Sequence, residues 1–207
     1  MIKNIIFDFD GVVLDSIPVK SEGFRKLFED FPKNKVDELI EYHMYNGGMS
    51  RYKKIEYFFQ KILGQEIKNK QILEYAEKYS EITKEELSQK KYLIDDSLYF
   101  IQKQYKKYNM HIASGADEND LKYICNRLDL EKYFLSIKGS PKVKSDIVSD
   151  ILVSKNYRKK ETVLIGDSIN DYEAARDNGI IFYGYNNISL QNKPHYYLTT
   201  FLDFETI

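Results

Sequence analysis

The chain has 207 residues, 43% of them apolar, and a formal charge of −1 from 31 basic and 32 acidic side chains. Charges that nearly cancel, with no block of one sign, leave neither nucleic acid nor an anionic membrane as an obvious partner. No stretch approaches the ~20 apolar residues of a membrane span, and the apolar start meets acidic residues too early for a signal peptide. The single cysteine, Cys125, cannot form an internal disulfide; with the missing signal peptide it predicts a cytoplasmic protein. At this length one core domain with a modest insertion is expected.

In chain order, Ile5-Ile6-Phe7 reads as a short buried strand that ends in Asp8-Phe9-Asp10-Gly11. Residues 16–90 then change character and give helix-period segments only. Phe24, Leu27, Phe28 and Phe31 mark a first apolar face, which Pro32 is predicted to close. Val36, Leu39, Ile40 and Met44 mark a second. Gly47-Gly48 breaks the pattern. Ile55, Phe58, Phe59, Ile62 and Leu63 form a third, stopped by Gly64, and Ile72, Tyr75, Ala76, Tyr79 and Ile82 a longer fourth. Four amphipathic helices predict a small bundle with its own core.

Beyond this block, helices and strands alternate. Asp95 or Asp96 is placed to cap a helix carrying Leu98, Ile101 and Tyr105. Met110 to Ala113 reads as a strand ending at Ser114-Gly115. Asp117 opens a helix in which Cys125 recurs with Leu121, Ile124 and Leu128, so the cysteine reads as core. Phe134 to Ile137 reads as a strand, Ile147 to Leu152 as a helix, and Val163 to Ile165 as a strand ending at Gly166-Asp167. Ala174 and Ala175 mark a short helix ended by Gly179, before a strand from Ile180 to Tyr183 and an edge strand from Tyr196 to Leu198. This alternation predicts an α/β fold, a Rossmann-like doubly wound parallel sheet. The helical block interrupts it, giving a discontinuous core domain of residues 1–15 and 91–207 and an inserted four-helix cap domain of residues 16–90.

The strand ends carry the chemistry. Asp8 and Asp10, Ser114, the turn from Gly139 to Lys144, and Gly166-Asp167-Ser168-Ile169-Asn170-Asp171 all fall where a parallel sheet gathers its ligands. Carboxylates crowded there repel unless a cation joins them, and an all-oxygen donor set favours a hard ion, Mg²⁺. A lysine and a hydroxyl beside them suit a phosphoryl oxyanion. The expectation is phosphoryl transfer at a magnesium site. His43, His111 and His195 are dispersed without metal-ligand spacing, and the 18 tyrosines read as packing and surface.

The order and spacing of these motifs resemble the haloacid dehalogenase-like superfamily of phosphohydrolases, with a helical cap inserted after the first strand. The first motif, D-x-D-G-V, stands as Asp8 to Val12; the second is Ser114. The third, in Gly139-Ser140-Pro141-Lys142-Val143-Lys144, is Lys144, with Lys142 as the fallback. The fourth, G-D-S-x-x-D, is Gly166 to Asp171. The resemblance implies that Asp8 attacks phosphorus, and that Asp10 protonates the leaving group and then activates water. It also implies that Ser114 and the amide of Gly115 bind phosphoryl oxygens while Lys144 neutralises charge. Mg²⁺ would be held by Asp8, the backbone carbonyl of Asp10, and Asp167. Asp171 would be either a further ligand or an anchor behind them. Such a site takes a small-molecule phosphate ester.

In the cap, Gly48-Met49-Ser50-Arg51 is similar to the G-V-S-R loop of β-phosphoglucomutases, which would place Gly48, Ser50 and Arg51 on the distal part of a sugar phosphate. The competing reading makes Ser50 a helix cap and Arg51 a solvated side chain. Lys20 reads as solvated, with the site as its alternative. Members such as phosphoglycolate phosphatases and β-phosphoglucomutases share these motifs. Against the mutases, Lys20 stands where they carry histidine, Gly166 where they usually carry glutamate, and Gly47 where they carry a cap lysine. The expected activity is therefore hydrolysis of a sugar phosphate or sugar-acid phosphate. A phosphosugar mutase is the alternative, and a non-catalytic binding module on the same fold the remote one.

Overall fold

The computed structural model describes residues 1–191 and 196–205. Its centre is a parallel six-stranded sheet in the order β3-β2-β1-β4-β5-β6. The strands are β1 (Asn4–Phe7), β2 (Asn109–Asp117), β3 (Ser136–Ser140), β4 (Thr162–Gly166), β5 (Ile181–Tyr185) and β6 (Tyr196–Leu198). β1 lies between β2 and β4, which is why its residues are apolar without alternation: both faces are covered. Ile5 and Phe7 point into one layer with Ile101, Leu121 and Phe201, and Ile6 points into the opposite layer with Val148, Leu164 and Ala175.

Helices α5 (Asp95–Gln104) and α6 (Glu118–Arg127) contribute to the first layer, and α7 (Lys144–Ser154) and α8 (Ile169–Asn178) to the second. Ala174 and Ala175 are fully covered on α8, which packs against α7 and β4. Gly179 ends α8 at φ +65°, a left-handed position that glycine adopts without strain. Cys125 is buried, and burial raises its thiol pKa to about 12, in keeping with a packing role.

Between β1 and β2 the chain forms α1 (Ile17–Leu27), α2 (Lys33–Tyr45), α3 (Arg51–Tyr57) and α4 (Asn69–Leu87). These share a separate apolar cluster built on Phe24, Phe28, Leu39, Ile55, Phe58 and Tyr79. Phe28 packs tilted against Phe58 at 4.3 Å between ring centroids, and Phe24 against Tyr79 at 4.4 Å.

Several local expectations are corrected. Pro32 does not close α1, which ends at Leu27; it stands before α2, where its fixed φ suits a helix start. The third cap helix is not one regular element: a π-helical turn follows α3 over Phe58–Ile62, and its wider winding turns both adjacent phenylalanines inward. Neither Asp95 nor Asp96 caps α5. Both lie in its first turn, and Asp96 instead accepts hydrogen bonds from Tyr185, Thr200 and the Phe201 amide. β2 does not stop at Ser114. It runs on to Asp117 through an irregularity, Ala113 pairing with Lys138 and Asp117 with Ser140. His195 lies outside the described residues. Among those described, no helix is long and apolar enough to cross a membrane.

Candidate active site

The site forms where the chain leaves β1. The Asp8 amide still donates to Ile165 of β4 at 2.9 Å, but the backbone then turns: Val13 and Leu14 both donate to the Phe9 carbonyl. Gly11 makes this turn possible. Its φ is +73°, and a Cβ placed there would lie 2.0 Å from Oδ2 of Asp167. The glycine of D-x-D-G thus gives the fourth-motif carboxylate room to reach the first. Two residues that the sequence reading missed hold these loops together. Asn186 donates to the Gly11 carbonyl at 3.0 Å and Asn187 to that of Asp167 at 2.7 Å. Both follow β5 directly, a strand-end signal of the kind that identified the other loops.

Asp8, Asp167 and Asp171 each bring one carboxylate oxygen within 4.8 Å of the others. Lys144, in the first turn of α7, lies 2.9 Å from Asp8 and is also bonded to Asp171. Burial opposes its charge, but Asp171 and Asp8 more than offset this and raise its pKa. Lys142, the fallback, lies apart from this cluster, its ammonium pairing with Asp150 on the surface. Asp171 is fully engaged, one oxygen on Lys144 and the other taking the Ser168 amide at 3.0 Å and hydroxyl at 2.6 Å.

Burial, then Asp171, raises Asp8 to about 7, and burial with Asp8 and Asp171 raises Asp167 well above the usual carboxylate range. Asp8 and Asp167 are hard oxygen donors whose charged forms burial and one another oppose, a set that a divalent cation would relieve, so these residues fit such an ion.

Asp10 behaves differently. Although burial opposes ionisation, Lys20 at 2.6 Å and the Ser16 hydroxyl at 2.6 Å hold its pKa below the ordinary value. Lys20 is therefore not solvated; the first turn of α1 aims it at Asp10. Ser16 is a further residue absent from the sequence reading. Ser114 is buried and Gly115 follows it in the irregular stretch of β2, where the strand's amides leave the regular ladder.

The cap loop closes over this edge. A Cβ at Gly115 would meet the Gly48 carbonyl at 2.2 Å, and one at Gly48 would meet the Ser168 hydroxyl at 2.7 Å. Ser50 precedes α3 in the cap position without making a side-chain capping bond. Arg51 is buried rather than solvated. It donates to Asp120 at 2.6 Å and to the Ser80 hydroxyl at 2.6 Å, with Asp117 at 3.7 Å. Its charge is thus already matched from the α/β core. Between cap and core lies a cleft whose walls include Asp10, Lys20, Arg51 and Gly115.

The arrangement has counterparts among known proteins. A curated relative, the phosphorylated carbohydrates phosphatase of Thermotoga maritima, is 25% identical over 185 residues, 85% of this chain and 81% of that one. Among solved structures, β-phosphoglucomutase from Clostridium difficile superposes with a TM-score of 0.80 at 16% identity, covering 100% of this chain and 96% of that one. A predicted phosphoglycolate phosphatase from Haemophilus somnus gives 0.79 at 17%, covering 99% and 97%. At such identities the structural likeness establishes the fold. Residues 5–185, which contain all four strand-end motifs and the helical insertion between them, match the haloacid dehalogenase-like hydrolases, and this chain belongs to that family.

Proposed function

We propose that the protein is a magnesium-dependent phosphatase of a small phosphorylated metabolite, a sugar phosphate or sugar-acid phosphate, working through an aspartyl-phosphate on Asp8. The observation that carries this reading is the pairing of Asp8 with Lys144 at 2.9 Å inside a carboxylate cluster at the edge of a parallel sheet. The curated relative named for phosphorylated carbohydrates supports the substrate class. In this reading residues 1–15 and 91–207 form the catalytic core and residues 16–90 the cap.

Asp8 attacks phosphorus as a carboxylate, and the bond to the leaving oxygen breaks. Lys144 holds Asp8 in place and offsets charge on the phosphoryl group, with the Ser114 hydroxyl and the Gly115 amide as donors to its oxygens. Asp10 gives a proton to the leaving alkoxide, then as a carboxylate takes one from the water that cleaves the aspartyl-phosphate. Lys20 and Ser16 stabilise its ionised form, the state the second step needs, so the proton given in the first step is carried against these two contacts. Asp8, Asp167 and the Asp10 carbonyl would hold Mg²⁺, with Asp171 fixing Lys144 and the loop behind them. When bound, the ion supplies positive charge that favours the ionised nucleophile and the transferring phosphoryl group.

The test is phosphate release from a panel of phosphorylated metabolites with Mg²⁺ and with chelator. Release that requires the metal is expected. An isomerised hexose phosphate without free phosphate, from a hexose 1-phosphate and its bisphosphate, would overturn the hydrolase reading in favour of a mutase.

A further inference from the structure

The cleft wall holds a second buried lysine that the catalytic scheme does not use. Lys54 of α3 and His43 of α2 are each 3% exposed, and both line the cleft with Asp10 and Lys20. The other buried or half-buried cations at this interface have carboxylate partners: Lys144 has Asp8 and Asp171, Arg51 has Asp120 and Asp117, and Lys20 has Asp10. Among the described residues no carboxylate lies within 4 Å of the Lys54 ammonium. Its contacts are His43 Nδ1 at 2.8 Å and, at a marginal 3.4 Å, the Gly47 carbonyl.

The hydrogen bond sets the histidine's tautomer. A charged Lys54 donates, so Nδ1 accepts and the ring proton sits on Nε2. That Nε2 is buried without a partner. The cap therefore presents an ammonium with no carboxylate in contact, on which Asp10, Asp167 and Asp8 act only from a distance, and an unused N–H donor, both on side chains that line the same cleft. Buried polar groups in this condition reduce stability unless something else completes them. A lysine kept for packing alone gains nothing here that methionine would not supply without the desolvation cost. Burial and the neighbouring Lys20 press Lys54 down to about 7, so an arriving anion would restore its charge.

We propose that Lys54 and His43 form a subsite for a second anionic group of the substrate, a carboxylate or second phosphate remote from the phosphoryl group that is hydrolysed. The inference rests on the phosphatase reading and narrows its substrate class. It also moves distal recognition away from Arg51, whose guanidinium is already neutralised by Asp120.

The experiment uses matched substrate pairs that differ in the second anion: glucose 6-phosphate against 6-phosphogluconate, and fructose 6-phosphate against fructose 1,6-bisphosphate. p-Nitrophenyl phosphate serves as a generic ester. Wild-type protein is expected to favour the anion-bearing member of at least one pair by ~10-fold or more in kcat/KM. The pair showing the preference distinguishes carboxylate from phosphate. In Lys54→Met that ratio should collapse to within about threefold, chiefly through KM, while Lys54→Arg retains most of it. Lys54→Met should melt no lower than wild type, since it removes a buried charge without a counter-charge. Hydrolysis of p-nitrophenyl phosphate without preference in either pair would overturn the subsite alone, as would a preference that survives Lys54→Met. A folded wild type that hydrolyses none of the esters would overturn the phosphatase reading, and the subsite with it.

Discussion

Lys144 in the α/β core and Lys54 in the helical insertion are both almost wholly buried, yet their surroundings are opposite. Lys144 is bonded to two carboxylates and is held firmly charged; Lys54 has an imidazole and a distant carbonyl, and its pKa falls. On the proposed reading the difference separates two tasks. A charge that positions a nucleophile is balanced within the protein, because it must stay fixed through turnover. A charge that selects a substrate is left to be balanced by that substrate, at the expense of the free protein's stability.

The largest test of this contrast is Asp8→Asn. Phosphate release should fall by at least ~10³-fold while the melting temperature holds, because Asn removes a carboxylate that its neighbours already destabilise. Steady-state kinetics with a thermal melt reads both. Lys144→Met should separate the two lysines: it strands Asp8 and Asp171, and should lower activity by ~10²-fold and stability by about 3 kcal/mol, roughly 10 °C. A Lys144→Met protein as stable as Lys54→Met would end the comparison.

A pH series sharpens it further. The folded pKa of Lys54, about 7, lies below its ordinary 10.5, so between those values the unfolded chain binds more protons and stability rises with pH. Denaturant unfolding from pH 7 to 9.5 should show wild type gaining about 3 kcal/mol relative to Lys54→Met. Smaller again is the cap–core pair: Asp120→Asn should cost about 1 kcal/mol by thermal melt. Asp37→Asn, at the exposed Arg25–Asp37 pair, should cost less than about 0.5 kcal/mol.

The core site was legible because its residues mark strand ends, and a parallel sheet brings strand ends together whatever lies between them. Asp8, Ser114, Lys144, Asp167 and Asp171 could be placed without knowing one side-chain contact. Lys20 could not: its reach to Asp10 depends on the angle at which α1 leaves the turn, and no periodicity encodes that. Arg51 meets Asp117 and Asp120 more than 60 positions away, so its burial follows from how the cap sits on the core. His43 and Lys54 lie on separate helices across the Gly47-Gly48 break. Each reads singly as an ordinary polar residue, and only the packed bundle makes them neighbours.

Where the cap loop meets β2, the carbonyl of Gly48 lies over the α-carbon of Gly115 with no side chain between. Such a junction is a mechanical stop. It has no rotamer to adjust, so the seated position of the loop is set by two peptide backbones, and the smallest possible enlargement, Gly115→Ala, acts as a wedge between them. On the proposed reading, in which the Gly115 amide binds the phosphoryl group, one missing methyl group governs both the seat of the cap loop and the placing of that amide.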